Sequence, residues 1–285
     1  MVSPAVAEGG VRADPCGAEF GSVSTNAWRV RELRQEEQKV RFLGRCFDNQ
    51  PMEYAVQEIL AGTDAPFRYV VTPNVQHLVK LHDDPVGLRP AYDAASRTYC
   101  DSRIVSFLSA LRGMRTSVVT GSDLTARLIR LASEQNRSVT IIGPEADDCA
   151  KLRRLFSGLR LAHMRPPMGF IRSEIEIKKC VDFVLQAQSD LVFLAVGTPQ
   201  QELLAKCISE CPDARGVGLC IGASIDFLTG RQKRAPIWMQ RAGLEWLHRL
   251  GSDPRRLARR YLVECPKIFY LFLLDLSAVK STTPT

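Results

Sequence analysis

Short apolar runs alternate with longer amphipathic stretches along most of this chain, and the alternation predicts its elements in order. "KVRFLGRCFDN" reads as a strand or hairpin arm. "PMEYAVQEILAG" reads as a helix with Pro51 in its first turn and Gly62 past its end. "FRYVVTPN" is a buried strand that stops at Thr72, Pro73 and Asn74, and the helix "VQHLVKLHD" follows directly. A helix near Asp84 to Ala95 leads into the short strand "RTYCDS", and "IVSFLSAL" has helical spacing. "TSVVTGSDLTARLIRLASEQ" is read as strand, tight turn and helix, with Ser122 or Asp123 placed to cap the helix. "SVTIIGPEADDCAKLRRLFSGL" and "SDLVFLAVGTPQQELLAKCISE" repeat that pattern, and "RGVGLCIGASIDFLTG" is a strand running into a Gly-rich loop. Strands separated by helices imply an α/β domain with an open, mainly parallel sheet and helices on both faces. The Gly, Ala, Ser and Pro content of residues 1–27 predicts a disordered tail. Residues 28–230 then form the core, and 231–285 a basic, helical C-terminal appendage.

Charge sharpens that division. The formal net charge is +7. From Thr229 to Arg260 nine Lys or Arg stand against the acids Glu245 and Asp253, so this segment carries the whole excess. Within it, Trp238, Ala242, Trp246 and Arg249 recur at four- and three-residue intervals, which on one helix makes an apolar stripe flanked by cations. Such a surface suits something both anionic and greasy: lipid head groups or a lipid-linked diphosphate. No RNA or DNA motif surrounds the aromatics, so nucleic acid is not the expected partner. No apolar run is long enough to span a bilayer, and "IFYLFLLDLSAV" is interrupted by Asp275; that run serves the bilayer or a homo-oligomer contact equally well. The N-terminus lacks the basic end and long apolar run of a signal peptide, and the odd count of nine cysteines fits a reduced, cytoplasmic protein. Cys207 and Cys211 lack a second ligand pair at metal spacing and are read as core residues.

In open α/β sheets ligands bind beyond the carboxyl ends of the strands, which brings "TPN", "CDS", "TGSD", "IGPE", "GTPQQE" and "IGASID" to one rim. None is a dinucleotide fingerprint or a Walker loop. "VGTPQQE" opens a helix whose free amides favour an anion or a nucleobase carbonyl, or it is an ordinary strand-to-helix connection. Asp101 either caps the helix that follows it or stands at the rim as a general base. Asp123, read as a cap, and Asp226, read as a buried hydrogen-bonding residue beside Phe227, compete for that role. His77 lies near the rim and is read as structural. There is no Asp-x-Asp pair of the kind that holds a metal against a nucleotide diphosphate, so no metal or other cofactor is expected.

Taken together, "VTPNVQHLV", "YCDS", "VTGSDL", "VGTPQQE" and above all "IGASIDFLTGRQKRAPIWMQRAGLEWLHRLGSDPRRL" resemble the WecG/TagA/CpsF glycosyltransferases, from about Val40 to Arg260. The resemblance implies a Rossmann-like core and an inverting transfer of a hexose or N-acetylhexosamine from a UDP-sugar to a polyprenyl-diphosphate-linked sugar. It places that reaction in bacterial surface polysaccharide synthesis, at the inner face of the cell membrane, to which the enzyme is peripherally bound. Asp101 would be the catalytic base, Thr72 and Asn74 would line the pocket, and Gln201 would help hold the nucleotide-sugar. Arg234, Arg249, Arg255 and Arg256 would be the appendage cations that neutralise the departing UDP. One departure stands out: where the family commonly has Gly after the aspartate, Ser102 and Arg103 follow Asp101 here, so this loop meets a different sugar or holds a phosphate itself. A noncatalytic nucleotide-sugar or lipid-diphosphate binding protein is the alternative.

Overall fold

The computed structural model describes residues 39–280; the stretch 1–27 read as a tail lies outside them. A hairpin comes first, β1 (Lys39–Phe42) against β2 (Arg45–Asp48), and helix α1 (Met52–Ala61) follows. The sheet strands are β3 (Arg68–Val71), β4 (Arg97–Thr98), β5 (Ser138–Ile142), β6 (Arg160–Met164), β7 (Leu191–Leu194) and β8 (Val217–Cys220). They form one six-stranded sheet in the order β4-β3-β8-β7-β5-β6, with every pairing parallel. The connections are helical: α2 (Val75–Asp83), α3 (Pro85–Asp93), α4 (Arg103–Leu111), α5 (Gly121–Glu134), α6 (Ala146–Leu155), α7 (Glu174–Ala187) and α8 (Gln200–Ser209).

Both faces of the sheet are covered, which is why its central strands read as unbroken apolar runs. The two-residue alternation of strand side chains nevertheless sorts them into two cores. Tyr69, Val71, Val192 and Leu194 pack with α2, α3, α7 and α8, whereas Val70, Val139, Ile141, Phe193 and Leu219 pack with α1, α5 and α6. Register fixes the rim: Val71 lies opposite Cys220, Cys220 opposite Leu194, and Leu194 opposite Ile142. Four strands therefore end on one line, and the loops after them leave from the same edge.

One strand expectation changes, and one strand carried no expectation. "TSVV" makes no ladder; only a parallel bridge joins Cys100 to Val118, because β4 is two residues long and the Ser117 amide is taken by Asn49 Oδ1 at 2.7 Å. "RLAHM" supplies β6, an edge strand without a fully buried residue and hence without an apolar run to read. Helix α7 likewise went unread; Ser173 caps it and it buries Cys180, Val181 and Val184.

After the short helix α9 (Ser224–Leu228) the basic segment folds as α10 (Ile237–Arg241), α11 (Glu245–Ser252), α12 (Pro254–Ala258), a π-helical turn (Arg259–Glu264) and α13 (Lys267–Lys280). The single helix that would align Trp238 with Trp246 is not formed. Gly243, at φ +72°, ends α10 in a left-handed turn, with the Leu244 amide bonded to the Met239 carbonyl at 2.8 Å. Trp238 is left 65% exposed, and Trp246 instead meets the Tyr261 ring 6.0 Å away. Helix α13 returns to the core: Ile268, Leu271 and Phe272 are buried among α2 and α4 residues, with Phe272 against Phe42 of the hairpin.

Phe193 is fully buried at the centre of the sheet. Phe193→Ala is expected to cost about 3–5 kcal/mol by lost transfer energy and cavity formation. Urea unfolding should show a lower midpoint with an unchanged slope.

Candidate active site

The line of strand ends opens into a cavity of about 560 Å³, floored by the loops after β3, β5, β7 and β8 and roofed by the basic segment. Its floor is held by buried polar contacts. Gln201, 1% exposed in the first turn of α8, accepts the Gly222 amide at 2.9 Å and donates to Glu202 at 2.8 Å, tying the loop after β7 to the loop after β8. Its side chain thus shapes the cavity from below. Asn74 caps α2, accepting the Gln76 amide at 3.0 Å, while its own amide meets His77 Nδ1 at 3.2 Å. The other ring nitrogen of His77 lies 2.7 Å from Thr198 Oγ1, and that hydroxyl donates to Glu202 at 2.8 Å. Burial, with Arg260 and Lys80 nearby, pushes His77 down to about 3 and keeps it neutral, as this relay requires. Thr72 is buried, its hydroxyl 3.4 Å from the Cys220 carbonyl.

Asp101 leaves β4 toward this cavity. Ser102, and not Asp101, caps α4, accepting the Val105 amide at 3.2 Å. Helix α5 is capped by Thr120, to which the Asp123 amide donates at 3.2 Å, rather than by Ser122 or Asp123. Relieved of capping, the Asp101 carboxylate sits beside Gly121, where an added Cβ would lie 2.9 Å from Thr72 Oγ1 and 3.7 Å from Asp101 Oδ2. Only glycine leaves this floor open. Burial drives the Asp101 carboxyl up to about 7; Arg249 opposes the rise, and Glu245 adds to it. The competing acids are committed elsewhere. Asp123 is ion-paired to Arg234 at 2.5 Å and held below its usual range, and Asp226 accepts Gln232 at 3.0 Å.

A second cavity, about 450 Å³, lies between α4 and the basic segment. Ile104, Trp246, Leu262, Pro266, Ile268 and Phe269 give it an apolar wall. The two cavities share Asn74, Asp101, Ser122, Arg249, Arg260 and Tyr261, so Asp101 stands where a polar chamber meets an apolar one. Arg249 crosses this junction with its guanidinium 4.7 Å over the Phe227 ring and 2.8 Å from Glu245.

Thr72, Asn74, Asp101, Gln201, Arg249 and Arg256 are thus brought together at the polar cavity. Arg234 lines neither cavity and supports Asp123, and Arg255 is exposed and lines neither. Sequence reasoning missed Arg259 and Arg260, although both were in the counted charge excess, and it missed Lys80, which donates to the Thr198 carbonyl at 3.2 Å. Tyr261, on both cavities, carried no signal apart from its basic neighbours.

A parallel α/β sheet whose strand ends meet a carboxylate and a roof of arginines is the frame of an enzyme that handles an anionic substrate. The family model described as "Glycosyl transferase WecG/TagA/CpsF family" matches residues 40–281, and the chain belongs to that family. It is a glycosyltransferase of polysaccharide synthesis, a class whose substrates are nucleotide-sugars and lipid-linked acceptors.

The raised Asp101 carboxyl makes a stability prediction. Below its unfolded value near 3.8 the side chain is neutral in both states. Between there and about 7 only the unfolded chain ionises, so this group lowers stability as pH rises, and the loss is complete above about 7. Asp101→Asn should therefore gain on the wild type from pH 4 to 7 and hold a constant advantage above, read from urea midpoints across that range.

Proposed function

We propose that this protein is an inverting glycosyltransferase that moves a hexose or N-acetylhexosamine from a UDP-sugar to a polyprenyl-diphosphate-linked sugar, building a surface polysaccharide. The observation that carries the reading is the position of Asp101 between two cavities of unlike chemistry. The polar chamber, with the α8 N-terminus at its floor and Arg249, Arg256, Arg259 and Arg260 in its roof, suits a nucleotide diphosphate. The apolar chamber suits a lipid-linked acceptor.

The acceptor hydroxyl attacks the anomeric carbon from the face opposite UDP; the new C–O bond forms as the bond to the diphosphate breaks. Asp101 takes the hydroxyl proton, which requires its ionised form. Arginines receive the charge that gathers on UDP, so the step needs no metal in this reading. Among the described residues the buried Nε groups of Arg249 and Arg260 have no hydrogen-bond partner, which costs about 1–3 kcal/mol each and suits these side chains to stabilisation by an anion.

Peripheral attachment to the inner membrane face fits the same segment. Ile237, Trp238, Leu262, Val263, Phe269 and Tyr270 are exposed apolar or aromatic groups beside the charge excess. Among the described residues no helix is long and apolar enough to cross a membrane. Trp238→Glu should weaken co-sedimentation with anionic vesicles severalfold while leaving the far-UV spectrum unchanged; retention equal to wild type would remove Trp238 from the contact.

Transfer is tested by acceptor-dependent UDP release across a panel of UDP-hexoses with a short-chain lipid-diphosphate sugar. Asp101→Asn should lose roughly 10²–10⁴-fold in kcat. The wild-type kcat/KM should fall with acid below about pH 7, because protonation removes the base. Arg249→Ala removes the cation that favours the carboxylate and should move this limb to higher pH. Donor binding without release from any UDP-sugar would return the protein to the noncatalytic binding class.

A further inference from the structure

The apolar cavity carries one cation that the transfer chemistry leaves unused. Arg103 is exposed at the first position of α4 and lines this cavity. Its neighbours' charges are spent: Glu245 on Arg249 at 2.8 Å, and Asp123 on Arg234 at 2.5 Å. Among the described residues the Arg103 guanidinium has no ion pair and no hydrogen bond. An unpaired arginine on a wet surface means little. Here it stands at an apolar cavity, two residues and at most about 7 Å of backbone from Asp101.

The order of chemistries is what selects the ligand. Asp101 is half-buried at the inner end; Arg103 follows it in the chain, and Leu262 and Phe269, both more than half exposed, form the cavity's outer apolar wall. A lipid-linked sugar has the same sequence of groups: sugar hydroxyl, diphosphate, hydrocarbon. We propose that Arg103 binds the diphosphate of the acceptor, forming a phosphate subsite separate from the one that holds the departing UDP. The assignment rests on the lipid-linked acceptor argued above. Arg103 belongs to the core helix α4, so this subsite stands on the core rather than wholly on the basic segment. A planar guanidinium can grip phosphate oxygens in pairs, which a lysine ammonium cannot.

Both a lipid and the donor offer a diphosphate, and titration calorimetry on the full chain separates them. Farnesyl diphosphate, kept below its micelle concentration, and UDP are each titrated into wild type, Arg103→Ala and Arg103→Lys. The expected result is a farnesyl diphosphate Kd raised roughly tenfold to a hundredfold in Arg103→Ala and less in Arg103→Lys, with the UDP Kd unchanged in both. Unaltered farnesyl diphosphate affinity in Arg103→Ala overturns the proposal, and so does an equal loss for both ligands or a failure of the wild type to bind farnesyl diphosphate. Farnesyl diphosphate held through Arg103 in a protein that releases no UDP from any donor would keep the subsite and end the transferase reading.

Discussion

Asp101 places a carboxyl where burial opposes its charge, and the cation that offsets the burial comes from a different part of the chain. Arg249 reaches it from α11, held by Glu245 on its own helix and by the Phe227 ring beneath it. The titration of this carboxyl is therefore not a property of the sheet alone. Its proton affinity is set in part by the basic segment that lies over the crevice. Glu245 restrains this effect from both sides, since it steadies Arg249 and also raises the proton affinity of Asp101.

Beneath that pair, the floor is rigid for a different reason. Strand register delivers four loops to one edge, and the loops are then cross-braced by Gln201, His77, Thr198 and Glu202. All four carry a buried or half-buried polar group with two or more partners, an arrangement that is costly if any member is lost. The floor specifies where a ligand sits, while the arginine roof supplies charge. Shape and charge at the crevice thus come from two parts of one compact unit.

Much of this was legible in the sequence, and the failures have local causes. The strands that end at Val71, Leu194 and Cys220 were plain because both faces of the sheet are covered. β6 was not, because an edge strand has no buried run. Asp101 stood out as a carboxylate after an apolar strand, and Ser102, by taking the cap, leaves it free. The tryptophan stripe failed at Gly243, whose left-handed turn is visible in the sequence only as one glycine among polar and apolar neighbours. The arginines were hardest to sort. Composition located the charge, but whether Arg234 faces Asp123 and Arg260 faces the cavity depends on turns that periodicity does not encode.

Helix α13 gives the basic segment a mechanical character. Phe272 packs on Phe42, Lys267 pairs with Asp83 at 2.8 Å and Arg112 with Asp275 at 2.7 Å, while at the other end Arg231 meets buried Asp148 at 3.2 Å. The span between is fastened at both ends, like a strap across a buckle. Its arginines are accordingly held at high local concentration over the crevice by contacts that lie outside it.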